Sequence, residues 1–166
     1  MATKPKGKKS GGSAKTRRPA PKAPVVKKAA ARPPAAVAIK PVDIDPGWAW
    51  DDKLPFVQGK RVGNLIYVSG QVALDPDGKL VGEGDIKAQT HQALENMKTI
   101  LGAAGLGLQS VIKLNSYITD ADLYRDFSEA RAEIFGSHRP ASTLVVVAAL
   151  AFPGLLVELE AIALKS

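Results

Sequence analysis

Two glutamates interrupt what is otherwise an apolar strand. In Leu155-Leu-Val-Glu-Leu-Glu-Ala-Ile-Ala163, alternation puts Glu158 and Glu160 on one face, about 7 Å apart at the rise of a strand. Carboxylates on a sheet interior are costly unless paired or put to use. The pair is therefore the first candidate for acid-base work, the plain alternative being a wet strand near an edge. Ser69-Gly70-Gln71 is the second candidate. A glycine closing a strand lets a ligand approach the backbone, and the plain alternative is a β-bulge. The third, His138-Arg139-Pro140, lies in a loop ahead of a core strand, where function tends to concentrate. Its alternative is an exposed linker stopped by proline. His91, beside Gln89 and Gln92, reads as a surface residue on a helix.

Several chemistries are excluded by composition. The chain holds no cysteine, so it has no thiolate nucleophile, disulfide framework or cysteine-ligated zinc. Two histidines cannot build a three-histidine metal site. No phosphate-binding glycine loop, dinucleotide fingerprint or nucleophile elbow is present. Neither a metal nor a cofactor is expected. The longest apolar runs, Leu144 to Phe152 and Leu155 to Val157, are broken by Pro153 and Gly154 and fall short of the ~20 residues that span a bilayer. A soluble protein without a membrane partner is expected.

The elements that must position these residues follow from periodicity. Asn64 to Ala73 alternates as a strand after the turn signal Gly63-Asn64. Leu74-Asp-Pro-Asp-Gly-Lys79 is turn chemistry, which predicts a hairpin over about residues 65 to 81. Asp85 is a good N-cap for a helix with apolar or small residues at Ile86, Thr90, Ala93, Leu94, Met97, Ile100, Leu101 and Ala104, stopping at Gly105. Ser110 to Thr119 reads as a strand with Ile112, Leu114 and Ile118 on one face and Lys113 and Asn115 on the other. Asp120 or Asp122 caps a second helix through Leu123, Phe127, Ala130 and Ile134, ending at Gly136. Strands at Thr143 to Leu150 and Leu155 to Leu164 complete the order β-β-α-β-α-β-β. An antiparallel or mixed sheet with two helices on one face is the natural α+β solution. The other, apolar face would then require self-association.

Charge divides the 166 residues in two. Twelve of the 23 basic residues and no acidic ones lie in 1–42, leaving 11 basic against 16 acidic residues in the rest. Residues 1–45 are built mostly from Lys, Arg, Ala and Pro, with little to bury, and are expected to be a disordered basic tail ahead of a domain over 46–166. No secretory signal fits, and the lysines and prolines argue against the amphipathic helix of a mitochondrial transit peptide. A cytoplasmic location is expected, with the mitochondrial matrix as the alternative. The tail suits a polyanion such as nucleic acid, or it is a solvated tail without a dedicated partner.

Five spaced motifs carry a resemblance. Tyr67-Val-Ser-Gly-Gln-Val72, Ala88-Gln-Thr-His-Gln-Ala-Leu-Glu-Asn96, Tyr117-Ile-Thr-Asp120, Arg139-Pro-Ala-Ser142 and Val157-Glu-Leu-Glu-Ala-Ile-Ala163 follow the pattern of the reactive intermediate deaminases, the Rid or YjgF family. The likeness covers about two thirds of the chain. It implies a chorismate-mutase-like α+β fold, a homotrimer with small-molecule sites in clefts between subunits, and cofactor-free hydrolysis of imines and enamines such as 2-iminopropanoate. An iminium carbon is already electrophilic and needs only positioning and a water held by a base. Carried across, the family's water-orienting glutamate is Glu158 and its Ser-Gly pair is Ser69 and Gly70.

The departures matter equally. The family's substrate-binding arginine is Ser142 here, its tyrosine is Phe56, and an asparagine on the second helix is Ser128. A serine cannot fork a carboxylate. Either Arg131 or Arg139 serves instead, or the substrate is not a 2-imino acid and hydrolysis of 2-iminopropanoate is weak or absent. A small-molecule-binding homologue with reduced catalysis is the competing reading, and an RNA-acting protein the third. For the tail, deleting residues 1–42 should abolish sequence-independent binding of duplex DNA and single-stranded RNA. Fluorescence anisotropy at two salt concentrations checks this, and affinity of the full chain should fall steeply as salt rises.

Overall fold

The structure, a computed structural model, describes residues 39–49 and 53–166; the disorder expected of the basic tail lies outside them. The described residues fall in the unit 37–166. Eight elements follow in chain order: β1 (Val42–Ile44), β2 (Gly59–Val62), β3 (Leu65–Gln71), α1 (Ile86–Ala103), β4 (Val111–Ile118), α2 (Tyr124–Phe135), β5 (Ala141–Val146) and β6 (Val157–Leu164). The six strands form one mixed sheet in the order β1-β2-β3-β6-β4-β5. All neighbours are antiparallel except β4 and β5. A parallel pair requires a crossover, and α2 supplies it.

Alternation along β6 decides which side is covered. Val157, Leu159, Ala161 and Ala163 are buried, and with Ile66, Val68, Leu114 and Ile118 they meet Leu94, Met97, Ile100 and Leu101 of α1 and Phe127 of α2 in one core. Both helices thus lie on one face, as expected. Asp85 caps α1, its Oδ1 accepting from the amides of Lys87 and Ala88 at 2.9 and 3.1 Å. Gly105, at φ +75°, ends the turn beyond α1, and the amide of Leu106 returns to the Leu101 carbonyl at 2.9 Å. Gly136, at φ +58°, stops α2.

Polar residues of α1 fasten the connections. Gln89, fully buried, donates to the carbonyls of Gly82 and Gly154 at 3.1 and 2.7 Å and accepts from the Leu156 amide at 2.8 Å. Asn96 donates to the carbonyls of Val72 and Leu74 at 3.0 and 2.8 Å. The chain between β3 and α1 and the turn before β6 are therefore held to one helix.

Five expectations are corrected. The hairpin turns at Gly63-Asn64, joining β2 to β3; Leu74 and Leu80 make only an isolated bridge. Lys60 and Arg61 hid β2, whose four residues lack apolar alternation. The boundary at 45/46 falls too late, because Val42–Ile44 pair with Gly59–Arg61, and a truncation of the tail should end before Ile39. β5 stops at Val146 rather than Leu150, since its partner β4 ends at Ile118, whose carbonyl takes the Val147 amide at 2.9 Å. On β4, Ile112 is exposed and Val111 buried, because the register against β6 slips between Val111 and Lys113 and inverts the alternation there. Finally, the uncovered face is mixed rather than apolar. Tyr67 pairs across to Ile162, Asn115 to Glu160 and Tyr117 to Glu158.

Among the described residues, no helix is long and apolar enough to cross a membrane. Replacing Asp85 by Ala should remove the cap of α1 at a cost of about 1 kcal/mol. Thermal unfolding should show this as a midpoint lowered by a few degrees, with Asp85→Asn retaining most of the stability.

Candidate active site

The sheet is irregular at Ser69-Gly70. Val68 pairs with Ala161 while Gln71 pairs with Leu159, so two residues of β3 oppose the single Glu160. This is a bulge, as the plain reading of the motif expected, and bulges re-aim side chains beside functional sites. It is held firmly. Ser69 donates its amide to the Gln58 carbonyl at 2.9 Å and its hydroxyl to the Val57 carbonyl at 2.6 Å. The buried Gln71 side chain donates to Gln58 Oε1 at 2.8 Å and to the carbonyls of Ser69 and Gly70 at 3.1 and 3.2 Å.

Glu158 occupies the space this opens. A Cβ at position 70 would collide with its carboxylate, so glycine is needed there for room rather than for backbone freedom. The Glu158 carboxyl makes no hydrogen bond among the described residues. Burial, and then the neighbouring Glu160, push its pKa above the usual glutamate value. Glu160 is differently placed. Its Oε1 accepts from Asn115 Nδ2 at 2.7 Å and from the Tyr117 hydroxyl at 3.0 Å. The hydrogen bond to Glu160, with burial behind it, raises the Tyr117 phenol and keeps it a donor. One carboxyl is a fixed acceptor and the other is free to exchange a proton.

A concavity beside them on the open face is lined by Tyr67, Ser69, Lys113, Asn115, Glu160 and Ile162. Lys113 Nζ donates to Thr143 Oγ1 on β5 at 2.6 Å. Lys113, Asn115 and Tyr117 were not singled out as site residues from sequence. Cross-strand register alone links them to Glu160, and a single strand's pattern does not contain it.

The remaining predicted residues form a second group. Ser142 pairs in register with Leu114, whose side chain is buried under the helices, so Ser142 faces the covered side of the sheet and Glu158 the open side. Arg131 Nη1 donates to Ser142 Oγ at 3.0 Å. Ser128 lies on α2 one turn before Arg131 and is half-buried. Arg139 lines the same cleft as Arg131. Phe56, 52% exposed, precedes Val57, whose carbonyl receives Ser69. His138 is an anchor, with Nε2 2.7 Å from the Val111 carbonyl and its ring 6.0 Å from that of Phe135. His91 Nε2 lies 3.0 Å from Glu133 Oε2, without hydrogen-bond alignment, and faces α2. One chain therefore gathers Ser69, Gly70 and Glu158, with Phe56 in the segment that holds Ser69, and separately Ser128, Arg131, Arg139 and Ser142.

A mixed sheet with both helices on one face, and a half-buried carboxyl seated on a bulge of the other, defines a small α+β unit whose candidate acid-base group lies on an uncovered sheet surface. The chain belongs to the family described as Endoribonuclease L-PSP, also called Rid or YjgF, whose profile matches residues 49–165. It is 42% identical over 111 residues to a RutC family protein of Pyrococcus horikoshii, covering 67% of this chain and 87% of that one. Identity is 35% over 114 residues to the 2-iminobutanoate/2-iminopropanoate deaminase of Salmonella typhimurium, covering 67% and 88%. The solved YjgF gene product of Escherichia coli matches with a TM-score of 0.69 at 32% identity, covering 75% of this chain and 99% of that one. The resemblance and the α+β fold expected from it both stand.

The raised pKa of Glu158 carries a stability consequence of definite sign. Folding favours its protonated form, so that contribution is full below the ordinary glutamate pKa of about 4.3 and is lost as pH rises through the elevated folded value. Glu158→Gln should therefore match the wild type at about pH 4 or below and be the more stable protein at neutral pH. Urea unfolding of both proteins across this range measures the difference.

Proposed function

We propose that this chain hydrolyses small imines or enamines without a cofactor, at Glu158, in a cleft completed by a neighbouring copy within a homotrimer. The observation that carries the reading is the Glu158 carboxyl, half-buried, without a hydrogen-bond partner among the described residues, and seated on the bulge at Gly70. A carboxyl whose pKa is elevated keeps its proton to higher pH than an ordinary glutamate and can act as acid and then, ionised, as base. In acid form it protonates an enamine carbon or an imine nitrogen to give the iminium. The resulting carboxylate takes a proton from water as the water oxygen bonds to the iminium carbon. That proton passes to the nitrogen of the carbinolamine, the C–N bond breaks as the carbinolamine hydroxyl gives its proton to the Glu158 carboxylate, and ammonia leaves a carbonyl product with the acid form of Glu158 restored.

The split site supports the multichain cleft. Glu158 and Ser142 face opposite sides of one sheet, so a ligand touching both groups requires a second copy. The deaminase activity named for the Salmonella relative supports the reaction class. Serine at position 142 favours a second reading, a binding protein that retains the cleft with little turnover.

Imine loss can be followed with 2-iminopropanoate generated in situ. Glu158→Gln should lower kcat/KM by about 10²- to 10⁴-fold, and the wild-type rate should fall as pH rises through the elevated Glu158 value. Sedimentation should give three times the chain mass. Turnover unchanged in Glu158→Gln would remove the assignment, and tight binding of the imine with no loss of it would establish the binding protein.

A further inference from the structure

Two opposite charges line the concavity on the open face, and they do not meet. Register pairs Lys113 with Ile162 and Asn115 with Glu160, so Lys113 and Glu160 are diagonal neighbours, at the roughly 7 Å of such pairs. Long side chains reach across that distance, yet no ion pair joins the two among the described residues. Each is tied to neutral partners instead. Lys113 Nζ donates to Thr143 Oγ1 at 2.6 Å, and Thr143 belongs to β5, on the side of β4 away from β6. Glu160 Oε1 is occupied by Asn115 Nδ2 at 2.7 Å and the Tyr117 hydroxyl at 3.0 Å. Glu160 Oε2 and Asn115 Oδ1 receive no hydrogen bond among the described residues. A lysine ammonium has three donors, of which Thr143 takes one.

We propose that this concavity binds a small zwitterion, an amino acid with a short apolar side chain, between the Lys113 ammonium and the Glu160 carboxylate. The ligand's carboxylate accepts from Lys113, and its ammonium donates to Glu160 Oε2 and Asn115 Oδ1. Charge-assisted bonds of this kind are roughly twice as strong as neutral ones. The ligand's side chain rests on Tyr67 and Ile162, which are cross-strand partners lining the same space. The cavity measures about 240 Å³, below the ~300 Å³ at which pockets for drug-sized ligands begin, so it suits a molecule of few heavy atoms. Thr143 keeps the gap open: a lysine released toward β6 would neutralise Glu160 and fill the space. The bland alternative is two solvated charges on an open sheet face, worth little to each other. In that case no ligand depends on Thr143. The cavity lies on the face opposite Ser142 and is lined without Glu158, so it stands or falls apart from the hydrolase reading.

The test is calorimetric titration of the full chain at low ionic strength with L-alanine and, separately, with propanoate and ethylammonium, each of which keeps one of its charges. L-alanine should bind at least about tenfold more tightly than either, the contribution of one charge-assisted pair. Lys113→Met should bring L-alanine down to the affinity of ethylammonium, and Glu160→Gln to that of propanoate. Thr143→Val, which changes no charge, should weaken L-alanine binding several-fold, and Thr143→Ser, which keeps the hydroxyl, should restore it. The basic tail persists in every variant, so nonspecific anion binding is read from the double variant Lys113→Met/Glu160→Gln. Thermal unfolding of each variant checks that the fold is kept. Propanoate bound as tightly as L-alanine, or L-alanine titrations equal in the wild type and the double variant, would overturn the proposal. L-alanine binding unchanged in Thr143→Val would overturn the held gap on which it rests.

Discussion

One extra residue in β3 governs the site. Because Ser69 and Gly70 together oppose Glu160, the backbone at Gly70 bends under the carboxyl of Glu158. The distortion is built from hydrogen bonds on the covered side, where Gln71 and Gln58 join buried amides, and its result appears on the open side. Removing the slip would restore a regular ladder and place a normal strand residue beneath Glu158. The different environments of Glu158 and Glu160, two residues apart on the same face, then follow. Glu160 lies opposite Asn115 and within reach of Tyr117, which satisfy it. Glu158 lies over glycine, with no hydrogen-bond donor to it among the described residues.

What the sequence made legible was local. The cap at Asp85, the stops at Gly105 and Gly136, and the alternation of β6 each depend on residues close together in the chain, and the structure places them as read. Lost were the features fixed by partners distant in sequence. The roles of the two glutamates could not be separated because the donors to Glu160 stand 45 and 43 residues away, and only strand register brings them opposite. Nothing in the helical pattern marks Gln89, yet its amide is a buried joint between two connections. β1 and β2 were missed because strands of three and four residues rich in charge carry too little alternation to distinguish from loop.

The crossover between the parallel strands links the fold to the second group of residues. α2 must pack on α1, and Asp126, Glu129 and Glu133 are directed there by Lys87 and His91 of α1. Helical spacing then sends Arg131 to the opposite flank, where β5 is the sheet edge. Ser142 is at the start of that strand because β5 runs in register with β4 from Lys113 onward. The Arg131–Ser142 contact is thus a product of topology: moving β5 by one residue along β4 would turn position 142 to the open face and leave the guanidinium without its acceptor.

The same sheet also explains why the carboxyl can be tolerated. A half-buried glutamate without a hydrogen-bond partner among the described residues works against folding when ionised, and β6 is a central strand, paired on both sides by β3 and β4. Those two ladders, with the four alternate residues of β6 buried beneath the helices, fix the backbone whatever charge Glu158 carries. On this strand, paired on both sides, burial and then Glu160 keep the Glu158 pKa raised. Local preference is overridden at this position and at Gly70, the two residues that need each other's geometry. Conflicts of this kind are expected where a fold has been shaped around chemistry rather than around its own stability.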